Sequence, residues 1–390
     1  MKKKSEGPLP ISEKTKKQRH DNIKLLGRSS FFNDIGSEMV APILPFYILA
    51  LGGGGVAVGL ISGLKEGFSS LFKLFGGYFS DRTGNRKSII LFGYFISVLF
   101  KFLLGIAGSW QQLIAFVSFE RFGKLRDAPR DTIIAESTAH RGRWFGFHKM
   151  MDTTGAVIGS LIVLFLLWKF SFDYKTIIFI AAGFSLFSIL TISKLKVNKI
   201  KTTERSVFYG VKSLSSKLKY FIFVAAVFTF ANFGMYMFLI LRAKDLTGNI
   251  FLPLLLYAIM NIFFASFAIP FGKLSDRFER KSILLLGYIL FLVVCLGFIY
   301  FNSLISLFFL FALYGLVLAI VESNQKAFVA DLAGEMKGTA HGFYYMIIGL
   351  VGIPAGVIAG ILWNVSSQVM FGYLAIVSII SIILLNFLRK

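Results

Sequence analysis

Asp34 and Glu38 stand four residues apart in a largely apolar stretch, so on a helix both carboxylates share one face. Glu120 and Arg121 form a second ionisable pair, and His148 and Asp152, again four apart, form a third. Acids beside a guanidinium or an imidazole are the ingredients of a proton relay. A histidine next to a carboxylate in a wet cleft titrates near neutral pH, and an arginine responds to the charge its neighbouring acid carries. By helical rise Glu38 lies about 15 Å from Arg28, and Glu120 about 15 Å from Trp110, so the two groups reach a similar depth. For His148 the competing assignment is a cap, or a side chain snorkelling to an interface.

The elements that must position these groups are apolar. With 56% hydrophobic residues, 45 Phe and only 16% charged residues, at a mean hydropathy of +0.72, the chain has more apolar surface than a water-soluble domain of this length could hide. Windows long enough to cross a hydrocarbon core of about 30 Å recur along it. The expected spans are 28–50, 56–80, 88–108, 110–130, 145–168, 173–194, 219–242, 250–275, 282–301, 303–326, 338–363 and 367–388. That pattern predicts an all-α integral membrane protein of twelve helices in two pseudo-symmetric six-helix bundles. Its divisions would be a basic tail (1–27), a first bundle (28–194), a linker (195–218) and a second bundle (219–390). An ionisable group inside such a span faces a cavity or a partner, because lipid does not solvate it.

Basic residues fall at span ends. The tail, the turns at 81–87 and 276–281, the 137–144 loop, the linker and Arg389-Lys390 all lie on one side of the count. Lys and Arg in short loops stay in the cytoplasm, so a cytoplasmic membrane protein with both termini inside is expected. The net charge of +22 is distributed over these ends, not gathered on one basic face, which argues against nucleic-acid binding. Cys295 is the one cysteine and there is no CxxC, so neither a disulfide nor a metal or redox cofactor is signalled. His20, His140, His148 and His341 build no nucleophile–base pair, which argues against an enzyme. No phosphate-binding Gly-x-x-x-x-Gly-Lys-Ser/Thr segment is present, which argues against an ATP-driven pump.

A repeat ties the halves together. Gly77-Tyr-Phe-Ser-Asp81-Arg82-Thr-Gly84-Asn-Arg86-Lys87 recurs as Gly272-Lys-Leu-Ser-Asp276-Arg277-Phe-Glu-Arg280-Lys281, and Gly93-Tyr94 and Gly287-Tyr288 follow at matching distances. Gly77 and Gly272 are 195 positions apart, half of 390 residues. Duplicated bundles with a binding site at their interface are the architecture of alternating-access carriers.

These features resemble the major facilitator superfamily over essentially the whole chain. Its loop signature Gly-x-x-x-Asp-Arg-x-Gly-x-Arg-Lys is matched at Gly77, Asp81, Arg82, Gly84, Arg86 and Lys87, while the second copy is one residue shorter and lacks the second glycine. The resemblance implies a cytoplasmic gate built from the first copy together with Asp276, Arg277 and Arg280, and joined by the charged run containing Arg126, Arg130 and Asp131. Arg121 resembles the superfamily's fourth-span arginine, with Leu125 where a glycine is usual. Gly155 and Gly159 resemble the fifth-span motif of proton-coupled antiporters, with Ser160 in place of its proline.

The expected function is therefore secondary transport, as proton-coupled efflux of a small organic or drug-like compound. Asp34, Glu38, Glu120, Arg121, His148 and Asp152 would serve substrate and proton, in a single chain that works alone in the bilayer. Two alternatives stay open. The arginines of the fourth span suit import of an organic anion, and Met150, Met151, Met235 and Met237 suit a transition metal as cargo.

Overall fold

A computed structural model of the chain describes residues 13–137, 141–197, 214–334 and 337–388, and these form fifteen α-helices and one 3₁₀ turn, with no strand among the described residues. In chain order they are α1 (Glu13–Val40), α2 (Leu44–Ala50), α3 (Gly55–Thr83), α4 (Arg86–Gly105), α5 (Trp110–Glu120), the 3₁₀ turn (Arg121–Arg126), α6 (Asp127–Ser137), α7 (Arg141–Phe170) and α8 (Tyr174–Ser193). The second half holds α9 (Ser216–Asn232), α10 (Met235–Thr247), α11 (Phe251–Arg277), α12 (Arg280–Tyr300), α13 (Leu304–Leu332), α14 (Lys337–Val365) and α15 (Ser367–Phe387). The start of the basic tail, most of the expected linker, positions 138–140, Arg389-Lys390 and the side chains of Asp81 and Asp276 lie outside the described residues.

Nine of the twelve expected spans coincide with described helices long and apolar enough to cross a bilayer. The other three coincide with α1 and α2, with α3, and with α5 through α6. These carry the charges singled out above, so apolarity alone does not mark them. Length is not what they lack: α3 has 29 residues, about 44 Å at helical rise.

Three expected spans are broken, each for a local reason. Pro42 has no N–H to give and its ring crowds the preceding turn, so α1 ends at Val40 and α2 restarts around Pro45. In the fourth span the ring of Pro129 would crowd the carbonyl of Leu125, and the backbone tightens to 3₁₀ just ahead of it, where the sequence predicts one continuous helix. In the seventh, Gly234 takes φ +68° between α9 and α10, a left-handed conformation that favours glycine.

Helices of the first half pack on one another, with α1 against α7 and α8, and α4 against α8 and the 3₁₀ turn. Those of the second half do likewise, with α11 on α13, α12 on α13 and α15, and α9 on α14 and α15. The halves meet chiefly where α3 runs antiparallel to α14, and again where α7 meets α11 and α2 meets α10. Glycines permit the α3–α14 approach. A Cβ on Gly59 would run into the carbonyl oxygen of Gly356, one on Gly356 into that of Gly59, and Gly63 and Gly360 face the same backbone. Small residues bring helices together in this way where lipid supplies no hydrophobic drive. Gly155 and Gly159 do a similar job inside the first half, against the backbone carbonyls of Phe31 and Ile35 on α1.

The repeated turn has the same role in each half. Arg86 makes a two-pronged pair with Glu136 on α6, at 2.5 and 3.0 Å, and Lys87 donates to the Ser193 carbonyl at the end of α8, at 2.9 Å. In the second half Arg280 pairs with Asp331 near the end of α13, and Lys281 donates to the carbonyls of Asn386 (2.9 Å) and Leu388 (2.8 Å) at the end of α15. Each arginine fixes one helix end and each lysine satisfies carbonyls that a helix terminus leaves open. Gly84 caps α3 at φ +63°. The second turn continues through Phe278 at φ −102°, an extended path that needs no glycine and fits the lost residue.

Gly356→Val should lower stability by about 1–3 kcal/mol, the range for overpacking a tight contact. Gly183→Ala, with nothing within 4 Å of its new methyl, should leave it unchanged. Thermal unfolding of the purified protein in detergent compares the two; a wild-type melt for Gly356→Val would show that the helices do not need this close approach.

Candidate functional site

Asn33 on α1 organises the charged layer inside the first half. Lys101 of α4, only 2% exposed, donates to the Asn33 carbonyl (3.3 Å), the Asn33 Oδ1 (3.2 Å) and Ser185 Oγ (2.9 Å) on α8. Ser97 Oγ bonds Asn33 Oδ1 at 3.3 Å and donates to Glu120 Oε1 at 2.6 Å. Glu120 is ion-paired with its neighbour Arg121 at the start of the 3₁₀ turn. The Asn33 amide donates to Asp34 Oδ1 at 3.1 Å. A cavity of about 20 Å³ opens among Ser37, Lys65, Lys101, Glu120 and Arg121, room for one water. Lys101 is thus held by three neutral oxygens, while Glu120 divides its two oxygens between Ser97 and Arg121.

A second network lies toward the helix ends that carry the repeated turns. Asp127 gathers Arg130 at 3.3 Å, Lys124 at 3.8 Å and Lys73 of α3 at 4.0 Å. Arg130 also pairs with Asp131 at 3.0 Å and reaches Ser30 Oγ at 3.4 Å. Ser30 Oγ is 2.9 Å from His148 Nε2, and His148 Nδ1 is 3.4 Å from Asp152 Oδ2. Hydrogen bonds therefore link the α6 charges, through one serine, to the histidine–aspartate pair on α7. A neutral imidazole carrying its proton on Nδ1 satisfies both contacts. Arg126 also comes within 4.0 Å of Asp127, donates to the Gly123 carbonyl at 2.8 Å and lies 4.4 Å from the centroid of the Tyr94 ring, a cation–π contact.

Between the halves, Lys65 Nζ donates to Tyr236 OH at 2.6 Å, and Tyr257 OH donates to Glu38 Oε2 at 2.7 Å. Nearer the ends opposite the repeated turns, Ser62 Oγ donates to the Gly234 carbonyl (3.2 Å) and the Gly55 amide to Asn364 Oδ1 (2.8 Å). Toward the repeated turns the cross-half contacts include two cation–π approaches, Lys73 to the Tyr345 ring and Lys149 to Phe264.

The structure brings together Asp34, Glu120 and Arg121 through Asn33 and Ser97, and His148, Asp152, Arg130 and Asp131 through Ser30. Glu38 stands apart, on Tyr257. Of the expected gate, Arg86 and Arg280 bond within their own halves, Arg82 reaches Tyr78 OH at 3.4 Å, and Arg277 is exposed. Gly77 touches Ala128 at an ordinary distance, whereas its neighbour Gly76 is the glycine whose Cβ would strike the Leu125 backbone. Met235 and Met237, candidates for a metal cargo, are buried core residues. Among the described residues no three His, Cys, Asp or Glu side chains cluster as metal ligands would. Sequence reasoning passed over Asn33, Ser97, Tyr236, Tyr257 and Glu136. A polar residue next to an acid (Asn33) was a usable signal; tyrosines scattered among apolar residues give none.

Comparison with known proteins agrees with this architecture. A sequence profile described as Major Facilitator Superfamily matches residues 27–356 and again 222–390. An uncharacterized MFS-type transporter of Methanocaldococcus jannaschii is 42% identical over 398 aligned positions, covering 100% of each chain. The Multidrug resistance protein MdtH of Proteus mirabilis is 26% identical over 319 positions, 79% of this chain and 78% of that one. A crystal structure of the nucleoside transporter NupG, in a mutant form, superposes with a TM-score of 0.81 at 13% identity, covering 95% of this chain and 100% of the other; that likeness concerns the fold alone.

Glu120→Gln leaves the Arg121 charge buried without its partner and should cost about 3–5 kcal/mol, the usual penalty for breaking a buried pair from one side. Adding Arg121→Leu should recover much of that loss. Melting temperatures of the two variants in detergent decide it: a double variant no more stable than Glu120→Gln would show that the pair is not what holds this layer.

Proposed function

The chain belongs to the major facilitator superfamily, a multi-pass membrane transporter and not an enzyme, and on that premise we propose that it exports a small organic compound in exchange for protons by alternating access. The proposed bodies are residues 28–194 and 219–390, joined by 195–218, rocking about the glycine contact of α3 with α14. The positive-inside rule supports placing the repeated turns, the tail and both termini in the cytoplasm of a cell bounded by this membrane. In that orientation the cross-half hydrogen bonds of Gly55, Ser62, Lys65 and Glu38 close the outer side, and the molecule is poised to open inward.

One observation carries the coupling assignment. Asp34 lies in α1 with a single amide hydrogen bond and no cation within 4.0 Å among the described residues. Glu120, Asp127 and Asp152 each have a cationic or imidazole partner. Glu38 also has no cation beside it but accepts a phenol's hydrogen bond from the other half; Asp34, with only a neighbouring amide, is the acid of the first half's charged layer whose charge is least supported, so protonation changes its energy most. When Asp34 takes a proton from outside, the first half loses a desolvated charge and packs more easily against the second. When it releases the proton inward, its carboxylate regains a negative charge that offsets Arg121 and Lys101, and the crevice regains water. Arg121, already held by Glu120, registers the change without moving far, and Asp152 with His148 offers a path for the proton toward the cytoplasmic ends.

Efflux of a drug-like compound is favoured over uptake by the glycine pair of α7 and by the sequence relatives named for multidrug resistance. The alternative metal cargo lacks geometry: Met235 and Met237 fill the core while Met150 is exposed, and among the described residues no three His, Cys, Asp or Glu side chains cluster as ligands.

Asp34→Asn should abolish substrate movement driven by an imposed pH gradient in proteoliposomes while leaving substrate exchange at equal pH. Asp152→Asn should weaken the pH-driven mode less. Full pH coupling retained in Asp34→Asn would reject the assignment.

A further inference from the structure

Most charges buried among these helices have an opposite charge beside them. Arg121 lies on Glu120, Arg130 on Asp127 and Asp131, and Asp152 on His148. Lys65 and Glu38, like Lys101 and Asp34, do not: among the described residues no carboxylate approaches the Lys65 ammonium within 4.0 Å, and no cation approaches Glu38. Each is met instead by a phenol of the other half, Tyr236 for Lys65 at 2.6 Å and Tyr257 for Glu38 at 2.7 Å. The two rings are neighbours, 5.7 Å between centroids, and Lys65 Nζ is 5.1 Å from the Tyr236 centroid. Glu66, next along α3, projects roughly 100° around the helix from Lys65. One ammonium, one carboxylate and two aromatic rings therefore converge between the halves from four different helices.

A phenol makes a hydrogen bond but brings no charge, so both half-buried ions lack an opposite charge beside them. A ligand that gives Lys65 an anionic group and Glu38 a cationic one replaces two bonds to neutral groups with two between opposite charges, which add Coulomb attraction to the hydrogen bond. A ligand with a single charge relieves only one of the two ions. The rings between them suit an apolar or aromatic spacer. We propose that Lys65, Glu38, Tyr236 and Tyr257 form a subsite for a zwitterion, a small molecule whose carboxylate-like and ammonium groups are separated by such a spacer. The assignment rests on the carrier reading above and narrows its cargo. It also links occupancy to rocking, because the phenol bonds the ligand displaces tie α1 and α3 to α10 and α11. Its cargo adds no net charge, so the membrane potential acts on the coupled proton alone.

The test is equilibrium binding of three matched probe series to the purified full chain: aminoalkyl benzoates and biphenylcarboxylates as zwitterions, the same amines without the carboxylate, and the same acids without the amine. The best wild-type zwitterion should bind at least about tenfold tighter than both of its single-charge analogues, the worth of one charge-assisted hydrogen bond. Lys65→Gln should erase its advantage over the amine and keep that over the acid. Glu38→Gln should do the reverse, a split that a merely structural role does not produce. The assignment is overturned if no zwitterion outbinds its analogues on the wild type, a measurement that needs no variant to fold. It is equally overturned if both variants weaken all three series alike. Flux in proteoliposomes separates the two readings: pH-driven transport without zwitterion preference sinks the subsite alone, and zwitterion preference without any pH-driven flux sinks the coupling alone.

Discussion

An ion inside a bilayer is tolerated only if another charge or a set of hydrogen bonds replaces its water, and the first half of this molecule is built around that requirement. Lys101 is encased by Asn33 and Ser185, Glu120 leans on Arg121 and Ser97, and Asp127 draws on cations from α3, the 3₁₀ turn and α6. These partners come from six different helical elements, α1, α3, α4, the 3₁₀ turn, α6 and α8. Satisfying the charges therefore fixes the relative depth and rotation of those elements far more tightly than apolar packing against lipid, which is indifferent to sliding. The broken fourth span belongs to the same economy: the 3₁₀ turn places Arg121 against Glu120 and Arg126 beneath the Tyr94 ring.

The contact between halves obeys a different rule. Glycine on glycine lets α3 and α14 touch backbone to backbone, with few side chains to interlock, so the crossing can act as a bearing. What holds the halves in one orientation is a short series of hydrogen bonds on one side of that bearing, from Gly55 to Glu38 in the first half. A carrier that alternates access must break such a series once per cycle, and single bonds are of the right strength: about 1 kcal/mol net between neutral groups and about 1.5–3 kcal/mol where Lys65 or Glu38 is the partner, against about 3–5 kcal/mol for breaking a buried ion pair.

The fold was legible to the extent that it depends on period and repetition. Apolar windows placed the helices, and the doubled turn announced two related halves because the same job, an arginine for one helix end and a lysine for another, is done twice with the same residues. What the sequence does not display is the far partner. Arg86 could be assigned a role at a helix end, but its acid proved to be Glu136, fifty positions on, because pairing depends on how α6 leans after the 3₁₀ turn. That turn was itself readable from Pro129, whose ring forbids a regular helix through Leu125, yet the apolar pattern masked it. Of the candidate site, the charged members were visible because lipid makes charge conspicuous. Asn33, Ser97 and the tyrosines were not, since a hydroxyl or amide among apolar residues is ordinary until the structure shows which ion it serves.

The internal repeat makes the remaining asymmetry informative. The offset of 194 that matches Arg86 to Arg280 and Tyr94 to Tyr288 also matches Lys101 to Cys295. Both are fully buried, yet one carries a charge and the other does not. Likewise Tyr94 receives a guanidinium, while Tyr288 accepts a hydrogen bond from neutral Gln325, which Tyr344 supports in turn. Two halves of common design have thus diverged at their centres, one ionic and one built of phenols and amides. A neutral half presents hydrogen-bonding groups whose energy scarcely depends on proton occupancy, whereas the ionic half changes its energy whenever a proton arrives or leaves. On the proton-coupled mechanism proposed above, division of labour follows from that difference: the first half senses the proton, and the second supplies neutral contacts that an ion can exchange for cargo as the halves move.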